Sequence, residues 1–218
     1  MVNSDDAKVL SYDDIVVFQS DIRSLNGHSW LTDNIVNFAA NYMKNVLIND
    51  ATKEKVCIVY ASCCELIKYT EKNQLQELLS SFEIDPMKWN IFMFNDNSDP
   101  TLIYGGTHWS LIVFSPTERT FYLFDSSNYN VPAHIENFTK KLYNFCNPSE
   151  EKVHAYDCPK MNISGDCGIF AIEYLKAILL HINSGNTSST FQFPVMNDQF
   201  VMDRRMYWRN IIYTLSNS

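Results

Sequence analysis

HWSLIVFSPTERTFYLFDS, residues 108–126, decides the fold. Two apolar runs, HWSLIVF (108–114) and TFYLFDS (120–126), are joined by Ser-Pro-Thr-Glu-Arg, a connector of hairpin length with turn chemistry. They read as neighbouring antiparallel strands. In such a pair the start of one strand lies beside the end of the other. His108 and Asp125, far apart along the chain, are therefore expected side by side at one end of a sheet.

Working outward, WNIFMF (89–94) reads as a buried strand, with shorter strands at Val56 to Tyr60 and KVHAY (152–156). Thr32 and Asp33 offer N-caps to DNIVNFAANYMKNVLI, whose Ile35, Phe38, Ala39, Tyr42, Met43 and Val46 recur at helical spacing. Further helices are expected around Glu65 to Tyr69 and over NQLQELLSSF, with Leu75, Leu78, Leu79 and Phe82 on one face. Pro132 opens another that runs to about Phe145. A helix after Asp166 runs through Ile169, Ile172, Leu175 and Ile178, and a last one carries Val201, Trp208, Ile212 and Leu215. HINSGNTSST (181–190) reads as a surface loop. The sum is an α+β fold, a mixed or antiparallel central sheet flanked by helices. With 218 residues, 46% hydrophobic, the chain suits a single domain over 1–218, with residues 1–8 a flexible N-terminus.

A net charge of -8 argues against nucleic acid, which asks for a basic face. No apolar run approaches the length of a membrane span, and the N-terminus MVNSDDAKVL has no signal-like core. The six cysteines form no C-x-x-C pair and no disulfide framework, which favours a reducing compartment, cytoplasm or nucleus.

MNISGDCGIF (161–170) supplies the chemistry. Cys167 stands where a turn gives way to a helix, and a helix N-terminus favours a thiolate through its partial positive charge and unpaired N–H groups. Gly168 leaves room for a substrate backbone. A cysteine protease needs a thiolate, a base to generate it and a third group to orient the base. Cys167, His108 and Asp125 fit those roles. Singly, each has an ordinary reading: a packed cysteine, a structural histidine, a turn-forming aspartate. Their joint placement at element ends favours catalysis. Asp157-Cys158 repeats the Asp-Cys pair, but Pro159 follows and no helix starts there, so Cys158 is read as structural.

GGTHWSLIVF, FYLFDSS and GDCGIF together resemble the sentrin/SUMO-specific, or ubiquitin-like, protease family. SWLTDNIVNF (29–38) extends the resemblance, and NDNS (95–98) with the ending WRNIIYTL resembles the deneddylase branch, which acts on the modifier Nedd attached to cullins. The resemblance implies a papain-like α+β fold and isopeptidase or C-terminal hydrolase activity, with neither metal nor small-molecule cofactor. It places His108, Asp125 and Cys167 on the triad, and Trp109 on the roof of a tunnel for the modifier's Gly-Gly tail. Such a slot passes only residues without a Cβ. Without the resemblance Trp109 reads as a core aromatic. Trp30 and Asp33 fall near the modifier, Asp33 as partner of a basic residue or simply as an N-cap. The loop from Asn95 to Gly106 is expected to close over the bound tail.

One position departs from the pattern. Where the family has an oxyanion-holding glutamine six residues before the cysteine, this chain has Met161, whose thioether donates no hydrogen bond. Three readings stand: a slow enzyme relying on the Cys167 N–H, a hole rebuilt with the Asn162 carboxamide, or a protein that binds a modifier without cleaving it. The expectation is an active, monomeric isopeptidase for a Nedd-type modifier and its conjugates such as cullins. SUMO or ubiquitin as substrate is the alternative within the class.

Overall fold

Successive strand residues point to opposite faces of a sheet, and the strands of this chain are apolar on both, so each face needs a cover. The structure, a computed structural model, describes residues 7–102 and 105–217. A hairpin, β1 (Lys8–Tyr12) and β2 (Ile15–Phe18), leads into α1 (Gln19–Ser24), α2 (Asp33–Leu47) and the single turn α3 (Asp50–Lys53). Then come β3 (Val56–Val59), α4 (Ala61–Tyr69), α5 (Lys72–Ser81), β4 (Trp89–Asn95), β5 (Trp109–Ser115) and β6 (Thr120–Phe124). The chain continues through α6 (Ala133–Cys146), β7 (Val153–Ala155), α7 (Cys167–Asn183) and α8 (Asp198–Ser216).

The main sheet has the order β3-β4-β5-β6-β7. Its centre is the antiparallel meander β4-β5-β6, and both outer pairs, β3 with β4 and β6 with β7, are parallel. The outer pairs are parallel because helices carry the chain back across the sheet between those strands. The sheet is therefore mixed. Ile91, Met93, Leu111, Val113 and Phe124 enter one core, against α2, α7 and α8. Phe92, Phe94, Ile112, Phe114 and Leu123 enter a second core on the opposite face, beneath Leu75 of α5 and Ile135, Phe138 and Leu142 of α6. The alternation expected for half-buried strands is thus apolar on both faces, and the protein has two cores back to back.

Three sequence expectations are corrected. Residues 1–6 of the expected flexible N-terminus lie outside the described residues, but Lys8 opens β1, and Gln19 N donates to Ala7 O at 2.9 Å. The hairpin turns at Asp13, a non-glycine residue with φ 49°, which gives no Gly-containing turn signal. α4 starts at Ala61, ahead of the expected Glu65, because Ala61 N donates to the buried Asn37 Oδ1 of α2 at 3.2 Å. A tertiary partner there replaces a local cap. α7 runs on to Asn183, so the surface loop begins at Ser184, after which Gly185 turns with φ 83°. Among the described residues no helix is long and apolar enough to cross a membrane. All six cysteines are free, and the Cys63–Cys64 pair lies in α4.

Candidate active site

The register of the meander sets the first half of the site. Leu111 pairs with Phe124; one step further on, Asp125 follows β6 on the side facing Ser110. His108, two residues before Ser110, shares its face. His108 Nε2 meets Asp125 Oδ1 at 2.8 Å. The carboxylate also accepts from Ser127 N (2.7 Å), Asn128 N (2.9 Å) and Asn128 Nδ2 (3.0 Å). Asp125 is 3% exposed. Burial alone would raise its pKa, but the bonds from His108 and Asn128 outweigh it and hold the group down at about 2. His108 is fixed from behind as well, its backbone N–H donating to Asp96 Oδ1 at 2.9 Å.

Cys167 comes from the other side, at the first turn of α7. Its thiol is one of the groups that raise the pKa of the His108 side chain. With Nε2 committed to Asp125, Nδ1 is the nitrogen that faces the sulfur. Burial would lower the pKa of His108; the bonds to Asp125 and then Cys167 override it and push the imidazole up to about 10. The imidazole is thus bonded to the carboxylate on one side and raised in pKa by the thiol as well. Among the described residues no cluster of His, Cys, Asp or Glu is arranged to hold a metal.

A groove of about 710 Å³ is walled by Trp30, Asp33, Glu65, Gly106, Thr107 and Trp109, the last two being the chain neighbours of His108. Trp109 is 3% exposed and its Nε1 donates to Leu31 O at 3.0 Å, so it is both a core aromatic and a wall of the groove. Trp30 is 52% exposed on the groove, with its indole edge against Gly165. Asp33 is the first residue of α2, not its N-cap; Thr32 holds that position and makes no side-chain cap bond. The Asp33 carboxyl is raised above its ordinary value by desolvation in the groove and then by Glu65. The loop from Asn95 to Gly106 borders the groove, with Ile103 and Tyr104 outside the described residues. Its stem is pinned by Lys68, whose Nζ donates to Asn95 O at 2.5 Å and Asn97 O at 3.0 Å.

Met161 N donates to Ser126 O at 2.9 Å, which ties the segment before the nucleophile to the turn carrying Asp125. The Met161 side chain is half-buried against the core. Asn162 is exposed and directs its carboxamide to Asp198, Nδ2 to Oδ1 at 3.5 Å. Cys158 is buried with its thiol 3.7 Å from Asp125 O, and burial raises its pKa. It packs beneath the turn, at a distance from any helix start. Gly168 has a structural reason of its own: a Cβ there would stand 2.9 Å from Leu31 Cγ and Cδ1, so the glycine admits Leu31.

The sequence profile of the Ulp1 protease family, C-terminal catalytic domain, matches residues 29–214. The chain belongs to the Ulp1 protease family. It is a cysteine peptidase of the kind that acts on ubiquitin-like modifiers. Sentrin-specific protease 8 of Homo sapiens is 29% identical over 215 residues, covering 97% of this chain and 99% of the relative. NEDD8-specific protease 1 of Arabidopsis thaliana is 26% identical over 184 residues, covering 84% and 80%. Among solved structures, the C-terminal Ulp1 protease domain in complex with Smt3, the yeast ortholog of SUMO, superposes with a TM-score of 0.71 at 14% identity, over 100% of this chain and 91% of that one. The Xanthomonas campestris effector XopD bound to ubiquitin gives 0.61 at 11% identity, over 82% and 90%. At those identities the superpositions establish the Ulp1-like α+β fold alone.

Proposed function

We propose that the chain removes, and also matures, a Nedd-type ubiquitin-like modifier by cleaving after its C-terminal Gly-Gly, with Cys167, His108 and Asp125 as the catalytic groups. The observation that carries this is the buried His108–Asp125 pair, with Cys167 at a helix N-terminus acting on the same imidazole, beside a groove walled by two tryptophans. The thiolate of Cys167 attacks the carbonyl of the terminal glycine while His108, as imidazolium, gives its proton to the departing amine. The C–N bond breaks and a thioester remains. His108 then takes a proton from water, whose oxygen displaces the sulfur and releases the modifier's carboxylate. Asp125 keeps the ring in one orientation and stabilises its charged form.

The oxyanion falls to the backbone N–H groups at the start of α7, since Met161 donates nothing from its side chain and Asn162 faces Asp198. Trp30, Trp109 and Asp33 line the approach of the tail, and an acidic wall at Asp33 and Glu65 suits a basic residue within it. The Nedd assignment draws on the name of one relative, the NEDD8-specific protease 1 of Arabidopsis thaliana. Conjugates such as cullins, a monomeric enzyme and a reducing cytoplasmic or nuclear setting, in keeping with six free thiols, complete the reading.

The test uses Nedd, SUMO and ubiquitin, each bearing a thiol-reactive group at its C-terminus, incubated with wild type and Cys167→Ala. A covalent adduct is expected with Nedd first, and none with Cys167→Ala. Adduct formation led by SUMO or ubiquitin would reassign the substrate. Tight reversible binding with no adduct would make the protein a reader of the modifier, the alternative that Met161 keeps open.

A further inference from the structure

A charged residue stands in phase with the buried stripe of α8. Val201, Arg205, Trp208 and Ile212 are the residues this helix buries, and Arg205 is 1% exposed. Its guanidinium donates to Ser24 O (3.0 Å), Ser29 O (2.9 Å), Gly165 O (2.9 Å) and Asp166 Oδ1 (2.8 Å). The other oxygen of Asp166 meets His28 Nδ1 at 2.8 Å. Asp166 is itself 2% exposed, directly precedes Cys167 and makes no side-chain cap to α7. The cleavage chemistry above uses none of these groups.

A buried carboxylate one residue from the sulfur opposes everything the helix start provides. Like charge disfavours the thiolate, and an anion at that end cancels the partial positive charge of the first turn. The same anion opposes the negative oxygen formed during cleavage. If its carboxylate capped the helix, it would also occupy the N–H groups that the oxyanion needs.

We propose that Arg205 is a positioning residue for the reaction: it neutralises Asp166 and holds its carboxylate off the helix end, so that the field and free N–H groups of α7 act on Cys167. This rests on Cys167 being the nucleophile. The charged and titratable groups set around the sulfur are His108 just before β5, Asp125 beyond β6 with Lys160 on its carbonyl, and Asp166 in its own cap. Behind Asp166 stand Arg205 on α8 and His28 before α2.

A purely structural clamp would look similar in the folded state, since Arg205 also ties together three backbone carbonyls. Charge separates the two roles. The ultraviolet absorbance of the Cys167 thiolate is titrated as the difference from Cys167→Ala in the same background, with no modifier present. Arg205→Met is expected to raise the midpoint by on the order of one pH unit and to lower kcat about tenfold at neutral pH with KM little changed. Asp166→Asn, which keeps the shape and leaves Arg205 unopposed, is expected to lower the midpoint. The double variant returns it toward wild type. Shifts of the two single variants in the same direction, or no shift in Asp166→Asn, overturn the proposal. If Arg205→Met does not fold, the direction in Asp166→Asn decides alone. Failure of the nucleophile reading shows separately, as a wild-type protein whose thiolate titrates but which forms no adduct with any modifier.

Discussion

Met161 is the residue on which turnover hinges. Its backbone is fixed by the bond to Ser126 O, so a glutamine placed there would start from the same anchor, six residues before the sulfur. Losing one oxyanion donor typically costs on the order of 10²–10³ in turnover. Met161→Gln is therefore expected to raise kcat by about tenfold or more, with KM little altered, measured on a modifier with a fluorescent leaving group. A fall in kcat would mean that the core packing of the thioether outweighs the lost donor. Asp125 has the opposite sign. It is a main reason that His108 stays protonated up to about 10, and the thiolate–imidazolium pair acts only while that proton is in place. The kcat/KM profile should hold on the alkaline side until the pH approaches that value. In Asp125→Asn the alkaline limb should move to lower pH, and a profile with an unmoved limb would place the proton elsewhere.

At the scale of elements, the hairpin β5–β6 was legible because turn chemistry, alternation and spacing all agree over one short stretch. So was α7, whose apolar spacing begins just after Asp166. The β1–β2 hairpin was not, because its turn at Asp13 lacks glycine and its short strands gain stability from packing on α8 and α2. His28 and Arg205 were missed for different reasons. Nothing near His28 marks it. Arg205 did carry a signal: it falls on the apolar phase of α8 set by Val201, Trp208 and Ile212, where a charge must be paired. The neighbour of Gly168 was not legible, since only the folded structure shows Leu31 lying across the start of α7. Gly168→Ala should therefore cost about 1–3 kcal/mol by overpacking, read as a lowered unfolding midpoint. It should also loosen the seat of Trp109, whose indole is bonded to the Leu31 carbonyl. Unchanged stability would put the glycine back at the substrate.

Over the whole molecule, the buried pair links stability to pH. His108 has its pKa raised from 6.5 to about 10, so its contribution is complete below 6.5 and is lost as pH rises through about 10. Asp125 is lowered from 3.8 to about 2, so its contribution is complete above 3.8 and is lost as pH falls through about 2. The pair thus contributes fully between those ordinary values and fades on either side. Urea midpoints across pH should show this dependence in wild type and a flatter one in a His108→Ala, Asp125→Asn double variant. Equal dependence in both would deny the link.

The bonds of Arg205 also bear on timing. The backbone around residues 24–29, the turn at 165–166 and the helix that follows are fastened together by a side chain from α8, the last of these elements to be synthesised. A nascent chain that has already emerged through α7 carries the thiol, the imidazole and the carboxylate, yet lacks the fastener. Domains generally fold as units, and α8 is part of the unit that holds the site. On this account the peptidase comes into being inert, and turns competent only when its closing helix docks.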